Sequence, residues 1–281
     1  MMICNHEGLI KSADGTELYY QSWRPENEVR GIVAIIHGLG GHSGVYLNIV
    51  KHLIPNNYAV YGVDLRGSGK SPGQRAYINC WNEYREDVGS FLEFIATSNV
   101  GTPLFLFGHS LGGLTVLDYV LRSKGEKPKL NGVIAFTPAL GESAVSPITI
   151  LVGKILSKVY PRFSMNTGID MKLAARDEKV IAYHQQDKLR HTVGTARLST
   201  EFSSTLAWVQ AHASHIDIPF LMMLAGADKV TLPEGSRKFF EKITFADKEL
   251  REYAESYHEL HEDYGYQEVL SDLIDWLERH L

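Results

Sequence analysis

Short apolar runs alternate with amphipathic stretches along most of the chain, and this alternation leaves few folds open. Continuous apolar runs are typical of strands buried on both faces, and helical patterns between them indicate a mostly parallel sheet covered by helices. The sequence therefore predicts an α/β protein with a mostly parallel central sheet flanked by helices. The predicted strands are 18–24, 31–36, 59–63, 103–107, 132–136, 218–225 and 249–254, and the predicted core helices are 81–97, 111–124, 234–244 and 265–280.

One long stretch, from about Gly141 to Ser204, breaks this alternation. It has no strand-like run and is interpreted as several short helices, including 147–158 and 176–189. A connection of this length without structure of its own is uncommon inside a domain. We therefore expect a helical cap at 141–205, inserted into an α/β core formed by residues 1–140 and 206–281.

The first half of the predicted cap, SPITILVGKILSKVY (146–160), is unusually apolar. It holds more apolar positions than one core-facing stripe requires, among them Ile150 and Leu151. We expect one face to line an acyl pocket and another to make transient contact with a membrane or micelle surface. The alternative is that both faces pack within the cap.

Charge and composition exclude several other classes of protein. The net charge of −5 argues against a nucleic-acid partner, which requires a basic surface. Cys4 and Cys80 stand far apart without metal-binding spacing, so two reduced thiols are expected. No signal-peptide pattern is visible, and no apolar stretch reaches the roughly 20 residues that span a bilayer. These features favour a cytoplasmic protein that is at most peripheral at membranes, and they leave the oligomeric state open.

The sequence Gly108-His109-Ser110-Leu111-Gly112 carries the most chemical information in the chain. It has the G-x-S-x-G form, which places a serine on a sharp turn between a strand and a helix. A predicted strand precedes it and a predicted helix follows it, as this turn requires. Ser110 is therefore the candidate nucleophile, against the alternative of a glycine-rich turn with an incidental serine.

A serine hydroxyl needs a base to take its proton and an acid to orient that base. In folds with this turn the partners follow in the order serine, acid, histidine. Asp228 comes just after the sixth predicted strand, at the carboxyl edge of the sheet, and is the candidate acid, against an ordinary turn aspartate. His258 follows the last predicted strand and is the candidate base. His261, three residues later, is its close rival.

Backbone N–H groups must also stabilise the oxyanion that forms during attack. Leu111, the residue after the nucleophile, is expected to supply one, and Leu39 in the glycine-rich loop His37–Gly41 is expected to supply the other. The alternative for this loop is a plain glycine-rich connector. No cluster with metal-ligand spacing is apparent around Ser110, so we expect neither a metal nor a cofactor.

With these residues in hand, the chain resembles the monoacylglycerol lipase and lysophospholipase-like family of α/β-hydrolases. The matching phrases occur in family order and span nearly the whole chain. They are HGLGGHSGVY (37–46), DLRGSGKSPGQRAYI (64–78), GHSLGG (108–113), AGADKVT (225–231) and YHELHED (257–263).

The resemblance implies an α/β-hydrolase fold with a helical cap, no cofactor, and serine-dependent hydrolysis of single-chain lipid esters. Ser110, Asp228 and His258 match the family triad, and Leu39 and Leu111 match its oxyanion donors. Family members often carry a glutamate and an arginine in the loop after the predicted strand 31–36, where this chain has Gly41 and Val45. The resemblance therefore does not determine the head group of the substrate.

Several alternatives to a monoacylglycerol lipase remain at this point. Within enzymes they are a lysophospholipase, a general carboxylesterase or thioesterase, and a peptidase like the related aminopeptidases. From a different class, a non-catalytic ligand-binding protein could keep the same fold.

Overall fold

The computed structural model of the protein describes residues 4–123, 128–141 and 147–281. Ten strands follow one another along these residues, and eight of them form one sheet in the order β1-β2-β4-β3-β5-β6-β9-β10. The strands are β1 (Cys4–Lys11), β2 (Glu17–Arg24), β3 (Gly31–Ile36), β4 (Tyr58–Val63), β5 (Leu104–His109), β6 (Gly132–Phe136), β7 (Ser164–Asn166), β8 (Val193–Thr195), β9 (Phe220–Ala225) and β10 (Lys248–Tyr253).

The sheet is parallel from β4 through β10, whereas β2 pairs antiparallel with both β1 and β4 at one edge. This confirms the predicted mostly parallel sheet, and the seven predicted core strands lie within two residues of the observed bounds. The sequence analysis missed β1. This strand lies at the sheet edge, and its Leu9 is exposed while Ile10 is buried, so it lacks the apolar run of an internal strand.

Helices cover both faces of the sheet and enclose two hydrophobic clusters. Helices α1 and α9 pack on one face, and α2, α3, α8 and the end of α7 pack on the other. The predicted core helices are confirmed, and only the seven-residue α1 was missed. The helices of the described residues are α1 (Leu47–Leu53), α2 (Asn82–Ser98), α3 (Leu111–Arg122), α4 (Pro147–Val159), α5 (Met171–Ala174), α6 (Glu178–Gln186), α7 (Ala196–Ala211), α8 (Pro233–Lys242) and α9 (Tyr266–Glu278).

The segment between β6 and β9 forms a cap that contains α4 to α7. The expectation that this segment holds no strand is wrong in one detail, because β7 and β8 pair antiparallel within it. These strands are three residues long and carry no apolar run that could have revealed them. Helix α7 runs past residue 205, where the cap was expected to end, and its Val209 is fully buried in the core. No helix in the described part of the chain is both long enough and apolar enough to cross a membrane.

The parallel strands place all candidate catalytic segments at one edge of the sheet. The carboxyl ends of β3, β5, β9 and β10 lead respectively into the loop that holds Leu39, the turn at Ser110, the turn at Asp228 and the loop that holds His258. Open parallel sheets bind their ligands at this edge.

Candidate active site

Ser110 lies on a strained turn between β5 and α3. Its backbone has φ 55° and ψ −118°, a region that costs a non-glycine residue roughly 1–3 kcal/mol. The flanking glycines make the turn sterically feasible. A Cβ at Gly108 would lie 2.4 Å from the Gly112 carbonyl oxygen, and a Cβ at Gly112 would lie 2.2 Å from the Ile36 carbonyl oxygen. The G-x-S-x-G pattern is thus explained by close backbone packing around an outlying serine.

Asp228 and His258 form a buried, hydrogen-bonded pair. The distance from Asp228 Oδ2 to His258 Nδ1 is 2.7 Å, and both side chains are nearly inaccessible. Asp228 is fixed by three further donors, the Val230 N–H at 2.7 Å, the Thr231 N–H at 3.0 Å and the Thr231 hydroxyl at 2.8 Å. Because Nδ1 faces a carboxylate, it carries the proton, and Nε2 is left as the acceptor that a general base needs.

The environment of this pair favours its charged forms. Burial alone raises the pKa of Asp228, but the neighbouring His258 ring and the backbone N–H donors lower it to about 2. Burial likewise lowers the pKa of His258, and the Asp228 carboxylate more than compensates, so that the pKa is raised. The pair can therefore accept a proton although both side chains are buried.

The rival histidine, His261, does not contact Asp228. Its side chain is fully buried, and its ring stacks on Tyr46 at a centroid distance of 4.9 Å. Within the described residues, neither of its ring nitrogens has a hydrogen-bond partner. The structure therefore gives His261 a packing position beside the site, and Asp228 is hydrogen-bonded to His258 instead.

The two expected oxyanion donors flank Ser110. Leu111 is the first residue of α3, so its N–H has no acceptor within the helix. Leu39 lies in the loop after β3, and this loop packs so closely that a Cβ on Gly38 would lie 3.0 Å from Ser110 Cβ. Ser110, His258 and Leu39 line the same cavity.

This cavity has a volume of about 50 Å³ and is lined mostly by apolar groups. The cap supplies Ile169, Met171, Ala174 and Arg190 to its wall. None of the described side chains of α4 lines it, contrary to the expectation for the segment 146–160. Leu151, Ile155 and Val159 of that helix instead face solvent, with exposed fractions of 58%, 54% and 79%. The remaining core lining residues are Gly38, Gly41, Val45, Tyr46, His109, Val230 and Glu259.

Glu259, His261 and Glu262 bring ligand-type atoms within 4.8 Å of one another, a group that the sequence analysis did not single out. Both carboxylates already have cationic or polar partners from the cap. Arg190 Nη2 lies 3.4 Å from Glu259 Oε1, and His184 donates to the Glu262 carboxylate. We interpret the group as a contact between cap and core.

Several residues of the site could not be selected from the sequence. Thr231 fixes Asp228, and its only sequence signal is its position three residues after the acid. His109 and Glu259 adjoin Ser110 and His258, so proximity to the motifs could have drawn attention to them. Arg190 has no local signal, because packing of the cap alone brings it to the cavity.

Comparison with known proteins relates the chain to a family of hydrolases. The sequence profile of the family described as serine aminopeptidase, S33 matches residues 27–264. A monoacylglycerol lipase of Mycolicibacterium smegmatis is 28% identical over 272 residues, which cover 95% of each chain. A monoglyceride lipase of Saccharomyces cerevisiae is 30% identical over 291 residues, covering 95% of this chain and 91% of the relative. The crystal structure of Paleococcus ferrophilus monoacylglycerol lipase aligns over 100% of both chains, with 31% identity and a TM-score of 0.83.

Proposed function

The chain belongs to the serine aminopeptidase S33 family of α/β-hydrolases, and on that premise we propose that it hydrolyses carboxylic esters of single-chain lipids, monoacylglycerols foremost. The observation that carries the proposal is the buried Asp228–His258 pair, whose histidine lines one cavity with the strained Ser110. The names of the yeast, mycobacterial and Paleococcus relatives support the substrate class.

The proposed reaction is a two-step acyl transfer. His258 Nε2 takes the proton of Ser110 as the serine oxygen attacks the ester carbonyl, while Asp228 stabilises the imidazolium. The Leu39 and Leu111 N–H groups hold the oxyanion, and each should contribute roughly 10²–10³ in rate. Collapse of the intermediate breaks the bond to the alcohol, which leaves with the proton from His258. Water, deprotonated by His258, then hydrolyses the acyl-enzyme and restores the Ser110 hydroxyl.

The lining of the cavity favours an ester over an amino-terminal peptide substrate. An aminopeptidase of this type needs a carboxylate that is free to pair with the substrate ammonium. Among the described residues that line the cavity, Glu259 is the one carboxylate, and Arg190 already pairs with it. The rest of the wall is mostly apolar, as a fatty acyl group requires.

The cavity volume indicates that the cap must move to admit a lipid. A volume of about 50 Å³ holds a few water molecules, since each needs roughly 10–15 Å³ of such space. A long acyl chain needs far more space than that. Ile169, Met171 and Ala174, which line the cavity from the cap, are the groups whose displacement would enlarge it.

A hydrolysis panel tests the proposal. It compares monoacylglycerols, lysophospholipids, thioesters, p-nitrophenyl esters of varied chain length and aminoacyl p-nitroanilides. Wild type should cleave the esters and label with a fluorophosphonate probe. Ser110→Ala should lose both properties, and Ser214→Ala, which changes an exposed serine, should lose neither.

Two outcomes would contradict the proposal. Undiminished labelling of Ser110→Ala would refute the nucleophile. Faster cleavage of the nitroanilides than of any ester would move the enzyme to the peptidase class.

A further inference from the structure

Behind the proposed triad lies a second row of polar side chains, the buried Tyr46, His109 and Glu259 and the partly buried Arg190. His109 directly precedes Ser110 and Glu259 directly follows His258, so the row runs parallel to the triad one residue away. We propose that these four residues form a positioning chain that links the oxyanion loop, the nucleophile, the base and the cap. Within this positioning chain Glu259 carries a negative charge and Arg190 a positive charge. This inference rests on the proposed function.

The first link joins the oxyanion loop to the nucleophile turn. The Tyr46 hydroxyl accepts a hydrogen bond from the Gly38 N–H at 3.3 Å and is hydrogen-bonded to His109 Nδ1 at 3.1 Å. Gly38 precedes the expected donor Leu39, and His109 precedes Ser110. When the hydroxyl proton is directed at Nδ1, the ring proton of neutral His109 lies on Nε2.

The second link joins the nucleophile turn to the base. His109 Nε2 faces Glu259 Oε2 at 3.9 Å, and both side chains are about 95% buried. Within the described residues, neither atom has a hydrogen-bond partner, and Glu259 Oε2 lies between the rings of His109 and His261, at 3.9 and 3.8 Å. Burial lowers the pKa of His109 to about 3, which keeps its ring neutral beside the Glu259 carboxylate.

The third link joins the base to the cap. Arg190 Nη2 lies 3.4 Å from Glu259 Oε1, and Arg190 Nη1 donates to His184 Nδ1 at 2.9 Å. The backbone N–H of Glu259 also donates to the Ala174 carbonyl oxygen of the cap at 2.9 Å. The residue after the base is therefore held by the cap through both its side chain and its backbone.

The same cap segment also contacts the oxyanion loop. The His191 N–H donates to the Gly40 carbonyl oxygen at 3.1 Å, and Asp187 pairs with His42 at 2.7 Å. A Cβ on Gly40 would lie 1.9 Å from the His191 carbonyl oxygen, so the two backbones are in close contact. Residues 187–191 thus touch both loops on which the reaction depends.

Glu259 and Arg190 have opposite electrostatic effects on His258. The Glu259 carboxylate favours the imidazolium, whereas the Arg190 guanidinium disfavours it. Burial would raise the pKa of Glu259, but the His109 ring and Arg190 hold it below its ordinary range, so the carboxylate stays charged. The ionisable groups that face this pair are Asp228, His109 and His261 beside His258, and Tyr46, Glu262 and His184 beside Glu259 and Arg190.

The test is the pH dependence of kcat/KM for p-nitrophenyl butyrate in the full chain. The acid limb reports the pKa of the free base, His258. Glu259→Gln should move this limb to lower pH, and Arg190→Gln should move it to higher pH, each by about one unit. The double variant should return toward wild type, and Arg190→Lys, which keeps the charge, should stay near it.

Arg176→Gln is the matched control. Arg176 also joins the cap to the loop after His258, through Asp263 at 3.0 Å, but it does not line the cavity. The acid limb of the Arg176→Gln profile should stay at the wild-type pH. Melting curves establish that each variant is folded. If the positioning chain had a merely structural role, the substitutions would lower kcat/KM without moving the acid limbs of the two single variants in opposite directions.

The inference would be overturned if the acid limbs of both single variants coincided with that of wild type, or if both limbs moved in the same direction. If Arg190→Gln does not fold, Glu259→Gln and the double variant still give the comparison. Ser110→Ala is measured in parallel, and its loss of activity establishes that the wild-type rate depends on the nucleophile. If the acid limbs of the two single variants then do not separate, the result counts against the positioning chain and not against the proposed function.

Discussion

Replacing Asp228 by asparagine changes one atom of the proposed triad while keeping its shape. Asn Oδ1 can still accept from the Val230 and Thr231 N–H groups that now contact Asp228 Oδ1 at 2.7 and 3.0 Å. The second carboxylate oxygen becomes an NH₂ group, which must donate where Asp228 Oδ2 now accepts from His258 Nδ1. The proton of the ring therefore moves to Nε2, and the base can no longer accept the proton of Ser110.

The size of the loss follows from this change of tautomer. The same exchange in a Ser-His-Asp triad lowers kcat about 10⁴-fold with the geometry intact. At 1.36 kcal/mol for each factor of ten, the transition state loses about 5.4 kcal/mol. The Thr231 hydroxyl, which now donates to Oδ2 at 2.8 Å, can rotate to accept from the new amide. The melting temperature should therefore change little.

The assay measures kcat on a soluble p-nitrophenyl ester, fluorophosphonate labelling and the melting curve. Asp217→Asn is the matched control, because Asp217 is exposed and precedes β9 at the opposite end of the strand from Asp228. Asp228→Asn should lose nearly all turnover, and the control should keep it. A folded Asp228→Asn variant with more than about a tenth of wild-type kcat would refute this account of the acid, given the expected 10⁴-fold loss.

Two further predictions follow from the site and the cap. Activity should survive EDTA, since no step of the proposed reaction uses a metal, and a loss that added metal restores would contradict this. Leu151 and Ile155 are exposed on α4, while the side chain of Ile150 lies outside the described residues. At about 25 cal/mol per Å² of buried apolar area, wild type should co-sediment with liposomes at low and high salt alike. Leu151→Ser/Ile155→Ser should sediment less, and wild type remaining in the supernatant with neutral and anionic liposomes would exclude membrane contact.

The residues predicted from the sequence are those with local constraints. Ser110 could be located because close backbone packing requires glycine at 108 and 112 around a strained turn. Asp228 and His258 could be selected because parallel strands bring their carboxyl ends to one edge, and the structure pairs them at 2.7 Å. Internal strands such as β3 were recognised because burial on both faces demands a continuous apolar run.

What the sequence did not reveal depends on contacts between distant segments. Arg190 and Glu259 are 69 residues apart, and only the folded cap brings them together. In the sequence Tyr46 cannot be distinguished from an ordinary buried aromatic residue. Only the structure shows its hydroxyl hydrogen-bonded to both Gly38 and His109. The expected acyl-lining role of α4 stays a prediction, because its described side chains do not line the present cavity and an apolar helix does not specify which surface its faces will meet.

The cap contacts connect substrate access to the state of the base. The closed cap leaves about 50 Å³ beside Ser110, so a lipid substrate requires the cap to move. Arg190 belongs to that cap, and its withdrawal would leave Glu259 as an uncompensated buried charge, which costs several kcal/mol in comparable ion pairs. Opening is therefore opposed by the same pair that tunes His258, and a surface that binds the exposed face of α4 would offset this cost. On this reasoning, activity on micellar substrates should depend on Leu151 and Ile155 far more than activity on a short soluble ester does.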